Sequence, residues 1–401
     1  MFAWWPIRGA ANSTTAVTCG ACSRPHRGRS LLTPVHLLLG MSLIASLAIV
    51  AVAVVPAKPA GASGAPCATN PTVSATPDWA LDNMFQSYGN AGMGYSWTGG
   101  DGTESVALPD GRELWLFDDT FLGTVTNGLR NPKKTPYLHN SFVVQDHGAL
   151  TQTYYTHRTT RPTAFLNPKP AHPFMYAFWP GATVVYGNTL EVLGGVQKFR
   201  KNALFTQVGV ALATFRLPDF KRLSYRLLPQ SQVDWPGGEM TDGGYTYLYG
   251  NSGSGLFVAR VAGTDLRAPW SYYDGSGWTT NVDQAAPVDQ IPTLSHYSVS
   301  KVAGEYLLVA ITSYSGEIVG AFGCSPTGPF GPVQDLYSTP EPTSYPARDG
   351  VVTYGAHAHP ELSPSANTLV VSYDVNPAAP GAIQSPDSSI YRPRFVYITV
   401  G

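Results

Sequence analysis

The chain of 401 residues carries 25 lysines and arginines against 26 aspartates and glutamates, a formal net charge of −1. Every acidic residue lies at or beyond Asp78, so setting aside Arg8, Arg24, Arg27, Arg29 and Lys58 leaves 20 basic against 26 acidic residues. That balance argues against nucleic acid as a partner, because phosphate binding needs a basic footprint.

Four arginines precede an apolar run from Val35 to Val55, long enough to span a bilayer, which takes about 20 apolar residues. Basic residues on the near side hold that side in the cytoplasm. Small residues follow from Ala57 to Ala65, and Ala60-Gly61-Ala62 fits an A-x-A cleavage site. We therefore expect residues 1–62 to form a cytoplasmic n-region plus a signal peptide or membrane anchor, residues 63–78 a linker, and residues 79–401 one domain. Cleavage is the favoured outcome, which makes the domain secreted or extracytoplasmic. A retained anchor is the alternative and would be the chain's one membrane contact. Cys19 and Cys22 precede the apolar run, on the reducing side, with no second pair or ligand-spaced histidine, and read as incidental. Cys67 and Cys324 are the two exported cysteines and read as one disulfide, with two buried thiols as the alternative.

Beyond the linker the pattern predicts one short helix, Trp79–Tyr88, and then strands. In chain order, short β-branched and aromatic runs cover 113–117, 141–144, 183–186, 189–193, 245–249, 255–260, 306–310, 317–322, 368–373 and 394–398, separated by Gly, Pro, Asn and Asp turns. Pro109-Asp110-Gly111, Gly187-Asn188 and Asp242-Gly243-Gly244 carry hairpin chemistry. One unit recurs: a polar or Gly-rich opening, a short strand, a tight turn, and an aromatic-aliphatic strand. Its starts fall near Asp101, Trp179, Glu239, His296 and His357. Repetition at this spacing predicts an all-β fold, a five-bladed β-propeller of four-stranded blades. A β-sandwich or jelly roll is the competing architecture.

In a propeller the first strand of each blade lines the axis, so these openings converge in one funnel. Asp101, Trp179, Glu239, His296, Ser298, His357, His359 and Glu361 would meet there. Carboxylates, imidazoles and an aromatic platform in a concave site suit glycoside cleavage, which needs one carboxylic acid and one carboxylate. His357 and His359 alternate by two and share a face, so His-x-His-x-Glu would suit a metal or an acid–base pair.

The segment Trp97 to Gly123, which includes Gly-Gly-Asp101-Gly and Asp118-Asp119-Thr-Phe, resembles the opening of secreted actinobacterial propellers long described as domains of unknown function. His139-Asn140-Ser141, Phe178-Trp179-Pro180-Gly181, Ser325 to Phe330 and Ala356-His-Ala-His-Pro-Glu361 extend the resemblance along most of the exported chain. Such propellers resemble five-bladed glycosidases of the family 43 and family 32 type, and one branch is similar to family 183 endo-D-arabinanases. The resemblance implies a hydrolase acting on furanoside-containing glycans. It places Asp101 at the first-blade aspartate, the expected base, and Glu239 at the third-blade acid. Trp179 to Ala182 stands where family 43 has its second-blade aspartate, and Asp118 stands where the pattern leads us to expect Gly or Ser.

Each residue also has an ordinary structural reading. Asp101 sits where a turn aspartate caps backbone N–H groups. Of Asp118 and Asp119 one at most faces the axis, since neighbours in a strand point to opposite faces. Asn140 could hold sugar hydroxyls or close a turn, and the histidines could be satisfied core residues. The sequence expectation is a monomeric glycoside hydrolase on a polysaccharide, with Asp101, Asp119 and Glu239 as catalytic candidates. Asn140, Trp179, His296, His357, His359 and Glu361 would bind substrate. No cofactor is expected beyond a structural calcium or other metal near the axis. A non-catalytic propeller binding cell-surface carbohydrate or protein is the alternative.

Overall fold

The computed structural model describes residues 70–131, 133–157, 161–168, 175–200, 203–289, 297–311, 316–345, 350–378 and 387–401. Residues 1–62, Cys19, Cys22, Cys67 and His296 lie outside the described residues. Among the described residues no helix is long and apolar enough to cross a membrane. Cys324 is disulfide-bonded.

The protein is an all-β propeller, and among the described residues it has five antiparallel sheets of four or more strands, each numbered below as a blade. From the axis outward, blade 1 is Glu104–Ala107, Glu113–Phe117, Ser141–Asp146 and Ala149–Tyr154. Blade 2 is Tyr176–Tyr186, Thr189–Arg200, Ala203–Arg216 and Lys221–Leu227. Blade 3 is Asp234–Asp242, Tyr245–Ser252, Gly255–Ala262 and Ser271–Tyr273, with Trp278–Thr279 as a fifth strand. Blade 4 is Tyr297–Val302, Glu305–Ile311, Glu317–Gly323 and Gln334–Ser338. Blade 5 is Val351–His359, Thr368–Pro377, Arg394–Val400 and, on its outer edge, Val73–Pro77.

That last strand corrects the expected linker. Val73 pairs with Val400 and Pro77 with Val396, so residues 73–77 complete the final blade and fasten the two ends of the domain together. The strand is short and ends in proline, which an edge strand tolerates because it donates to one side only. Inner strands pack in cyclic order, and Val351–His359 returns to Glu104–Ala107. Every seam between neighbouring blades has its own apolar cluster. Leu114, Phe142, Leu190 and Phe215 fill the seam of blades 1 and 2; Val309, Phe322, Val371 and Ile398 fill that of blades 4 and 5. Middle strands are therefore covered on both faces, which explains the unbroken apolar run Tyr306 to Ile311. Lys221–Leu227 lies on an outer edge, is mostly exposed, and carries Lys221, Arg222 and Arg226, charges that discourage further strand pairing.

The helix runs Trp79–Ala91, longer than its sequence pattern indicated. Asp78 Oδ1 accepts from the backbone N of Ala80 and Leu81 at 3.0 and 3.1 Å, which fixes its start. Gly89 reads as a breaker, yet a Cβ there would lie 2.6 Å from the Arg392 guanidinium, so glycine admits a buried arginine. Phe85 plugs the helix into the seam of blades 5 and 1, against Trp97, Trp115 and Phe395.

Close approach also governs the inner ring. A Cβ on Gly181 would lie 2.2 Å from the Pro236 carbonyl oxygen of the next blade. Backbone cannot swing aside as a side chain does, so Gly181→Ala is expected to lower stability by about 1–3 kcal/mol in chemical denaturation. An unchanged midpoint would show that the inner strands can separate.

Candidate functional site

Two groups of acidic residues meet around the axis. The first is built where blade 1 opens. Asp118 N donates to the Asp101 carbonyl at 2.7 Å, and Asp101 N to that of Asp119 at 3.2 Å, so the three aspartates lie side by side. Asp374 joins them from the second strand of blade 5, its carboxylate accepting from Gly102 N at 2.8 Å and the Thr103 hydroxyl at 2.9 Å.

The four carboxyls are held differently. Asp101 Oδ2 accepts from the Tyr354 hydroxyl at 2.6 Å, while Oδ1 is sealed from solvent with no hydrogen-bond partner among the described residues. Burial, then the charges of Asp119 and Asp374, push its carboxyl well above the usual range, against the pull of the Tyr354 and Tyr391 phenols. Asp119 has both oxygens engaged: the Tyr137 hydroxyl donates to Oδ2, His139 Nδ1 lies 2.8 Å from Oδ1, and the Trp179 indole donates to Oδ1 at 3.3 Å. Burial, then Asp101, raises Asp118, and burial pushes Asp374 up to about 7.

The second group joins blades 1, 3 and 5. Glu104, 2% exposed, pairs through Oε2 with His357 Nε2 at 2.8 Å. Glu239, on the inner strand of blade 3, has its Oε2 sealed from solvent with no hydrogen-bond partner among the described residues. Burial and then Glu104 push its carboxyl up to about 8, while His357 draws it back. Glu361 accepts from the Ser105 hydroxyl, keeps 19% of its side chain exposed, and is pushed by burial up to about 7. For His357 burial favours the neutral ring, but Glu104, aided by Glu239 and Glu361, carries it up to about 9. Glu104 links the groups, since its charge also reaches Asp118 and Asp374.

The structure thus brings together Asp101 with Asp119, and Glu239 with His357 and Glu361. Trp179 meets Asp119 through its N–H and packs edge-on against Phe205 at 4.5 Å. Two expected substrate contacts require correction. Asn140 is fully buried, with Nδ2 donating to Leu166 O and Phe178 O at 2.7 and 2.8 Å and Oδ1 accepting from Leu166 N at 2.8 Å. It clamps blade 1 to blade 2 and has no exposed surface for a sugar. His359 shares a face with His357, the rings 5.4 Å apart, but is also fully buried. Its Nδ1 meets the Ser105 hydroxyl at 2.5 Å and its Nε2 that of Ser372 at 2.8 Å, while burial and then His357 hold it neutral. The His-x-His-x-Glu pattern therefore does not converge as a ligand set. Among the described residues no three His, Cys, Asp or Glu side chains are grouped to hold a metal ion.

Residues 82–400 match the family model described as "Domain of unknown function (DUF5005)". The chain belongs to the DUF5005 family. No curated protein matches it in sequence. A provisionally assigned hydrolase of Bacteroides ovatus is similar in structure, with a TM-score of 0.67 and 23% identity over 81% of this chain and 90% of that one. At that identity it shows the shared fold. An exo-β-1,3-galactanase from Phanerochaete chrysosporium aligns with a TM-score of 0.45 and 12% identity, covering 75% of this chain and 60% of that one. A family 117 glycoside hydrolase from Zobellia galactanivorans aligns at 0.44 and 9%, covering 82% and 90%.

Glu104, Asp374, Tyr354 and Tyr391 were missed in the sequence reading. A signal existed for the first two: Glu104 opens an inner strand, and Asp374 is the one charged residue of Thr368–Pro377.

The role of Asn140 predicts a stability effect. Removing three buried hydrogen bonds and stranding their backbone partners makes Asn140→Ala cost about 3 kcal/mol in chemical denaturation. The raised groups predict a pH effect. Asp374, Glu239 and Glu361 keep protons in the folded state that the unfolded chain releases near pH 4, and His357 keeps one through about 9 that the unfolded chain releases near 6.5. Folded protein therefore binds more protons, and the thermal midpoint is expected to fall as pH rises from about 6.5 to 9. A midpoint that climbs over that window would contradict these protonation states.

Proposed function

We propose that this protein is an exported glycoside hydrolase that cleaves a furanoside-containing polysaccharide of the arabinan kind. The observation that carries the reading is Glu239, a carboxyl on the inner strand of blade 3 that burial pushes up to about 8, with the Asp101–Asp119 pair also beside the axis. A carboxylic acid beside carboxylates is the equipment glycoside cleavage requires. Export is supported by the basic n-region, the apolar run and the small residues after it. The furanoside substrate rests on the resemblance carried by Trp97–Gly123.

In this mechanism Glu239 gives its proton to the leaving glycosidic oxygen. Asp101 serves as the base, since Asp119 is buried with both oxygens engaged while Asp101 is only half-buried. The proton affinity that burial gives Asp101 makes it a strong base once ionised, and positive charge growing on the sugar ring favours that form. Tyr137, His139 and Trp179 fix Asp119 beside it. One feature favours a glycan-binding propeller without catalysis, namely the Trp179–Gly181 segment where a family 43 enzyme has an aspartate.

Reducing-sugar release from arabinan, arabinogalactan, fructan and xylan tests the two readings. Wild type is expected to release sugar from arabinan, and Glu239→Gln and Asp101→Asn to lose about 10²–10⁴-fold in rate. Folded wild type that binds a glycan of the panel but cleaves none would establish the binding reading instead.

A further inference from the structure

A glutamate that gives up a proton in a buried site leaves a charge behind, and something must receive it. Burying an uncompensated carboxylate is costly enough to hold the proton in place. The groups facing Glu239 are few. Glu104 reaches it from the inner strand of blade 1, His357 from that of blade 5, and Glu361 from the turn after it. Blade 2 contributes the backbone of Thr183, and on blade 4 Ser298 is occupied in accepting from Ala358 N at 2.8 Å. Among these His357 alone is basic.

His357 is also unusually placed. Its Nε2 is fixed by Glu104 at 2.8 Å, and both partners are buried, with side-chain exposures of 8% and 2%. Its Nδ1 is sealed from solvent and has no hydrogen-bond partner among the described residues, and the same holds for Glu239 Oε2. A buried donor and a buried acceptor, each without a partner and each within electrostatic reach of the other, form an incomplete pair. A protonated Glu239 has little need of the imidazolium. An ionised Glu239 completes the pair.

We propose that His357, held in place by Glu104, is the positioning residue that stabilises Glu239 after that glutamate has donated its proton. The proposal rests on the hydrolase reading and specifies how its acid works. During the step, the proton passes from Glu239 to the glycosidic oxygen, the bond from that oxygen to the anomeric carbon breaks, and its electron pair stays with the leaving group. Glu239 becomes a carboxylate opposite the His357 imidazolium, which keeps its own protons throughout. Glu104 retains the positive charge on His357, whose pKa lies near 9. Free of such a counter-charge, His357 would be a buried neutral ring.

The test is a pH titration of the full chain labelled with [¹³C]glutamate and followed by carboxyl NMR, with the Glu239 resonance assigned by its loss in Glu239→Gln. Removing the positive charge in His357→Gln is expected to raise the Glu239 midpoint by about one pH unit or more. Glu104→Gln, which takes away the counter-charge that keeps His357 protonated, is expected to lower the His357 midpoint by about one pH unit or more, read from ring-labelled histidine in the same titration. The high-pH limb of the kcat profile should move up with Glu239 in His357→Gln, with kcat falling and KM little changed. A role confined to packing would move neither. If His357→Gln does not fold, Glu104→Gln decides, since an unmoved or raised His357 midpoint there overturns the proposal. An unmoved midpoint in folded His357→Gln overturns it even where glycan cleavage is found. A shifted midpoint in a protein that cleaves no glycan overturns the hydrolase reading and leaves the coupling in place.

Discussion

Acidic side chains from the inner strands of blades 1 and 3, and from the turns and the second strand beside the axis, crowd together at the centre of the propeller. Everything chemical about this protein follows from that crowding. Asp101, Asp118, Asp374, Glu239 and Glu361 cannot all be ionised at neutral pH, because burial and mutual repulsion both favour the protonated form. The site therefore holds protons at a pH where exposed carboxyls have none. Hydrogen bonds decide how they are shared. Three side chains converge on Asp119, two groups donate to Asp374, and a histidine pairs with Glu104, while Asp101 and Glu239 each keep one oxygen without a hydrogen-bond partner among the described residues.

Such a cluster persists only if the wall behind it is rigid. Closure through Val73–Pro77 binds both ends of the domain into one blade. Behind the first acidic group, Arg392 donates to the Thr98 carbonyl at 2.9 Å and to Asn90 Oδ1 at 3.1 Å, and Arg130 to the Thr98 carbonyl at 2.7 Å and to that of Ile390 at 3.0 Å. These buried guanidinium groups tie the helix, the strand before Asp101 and the last turn of the chain to a single carbonyl. Asn140 does similar work between blades 1 and 2. Catalytic geometry of the sort proposed here depends on supports of this kind, since small displacements of reacting groups are costly.

Local patterning made the fold legible. The alternation of short strands and turns, and the recurrence of a polar or glycine-rich unit, located the inner strands, although Glu239 and His357 fall inside their strands and not at the start. The outer strand Val73–Pro77 was invisible, since five residues with mixed burial and a proline resemble a linker until their partner at the other end of the chain is known. Asp101, Asp119, Glu239, His357 and Glu361 were legible as blade openings or as parts of a motif. Asn140 and His359 read the same way and proved to be scaffold, because a sequence shows which face a residue takes but not whether backbone carbonyls already claim it. Glu104 and Asp374 join the acidic groups only through partners more than a hundred residues away, His357 and Gly102, so spacing alone could not single them out.

The most direct test of the account is a crystal structure of the Glu239→Gln protein with an arabinan oligosaccharide bound. The account predicts a glycosidic oxygen within hydrogen-bonding distance of residue 239, with Asp101 facing the anomeric carbon of the same linkage. A sugar chain seated away from the axis, or one in the funnel whose linkage meets neither residue, would contradict it.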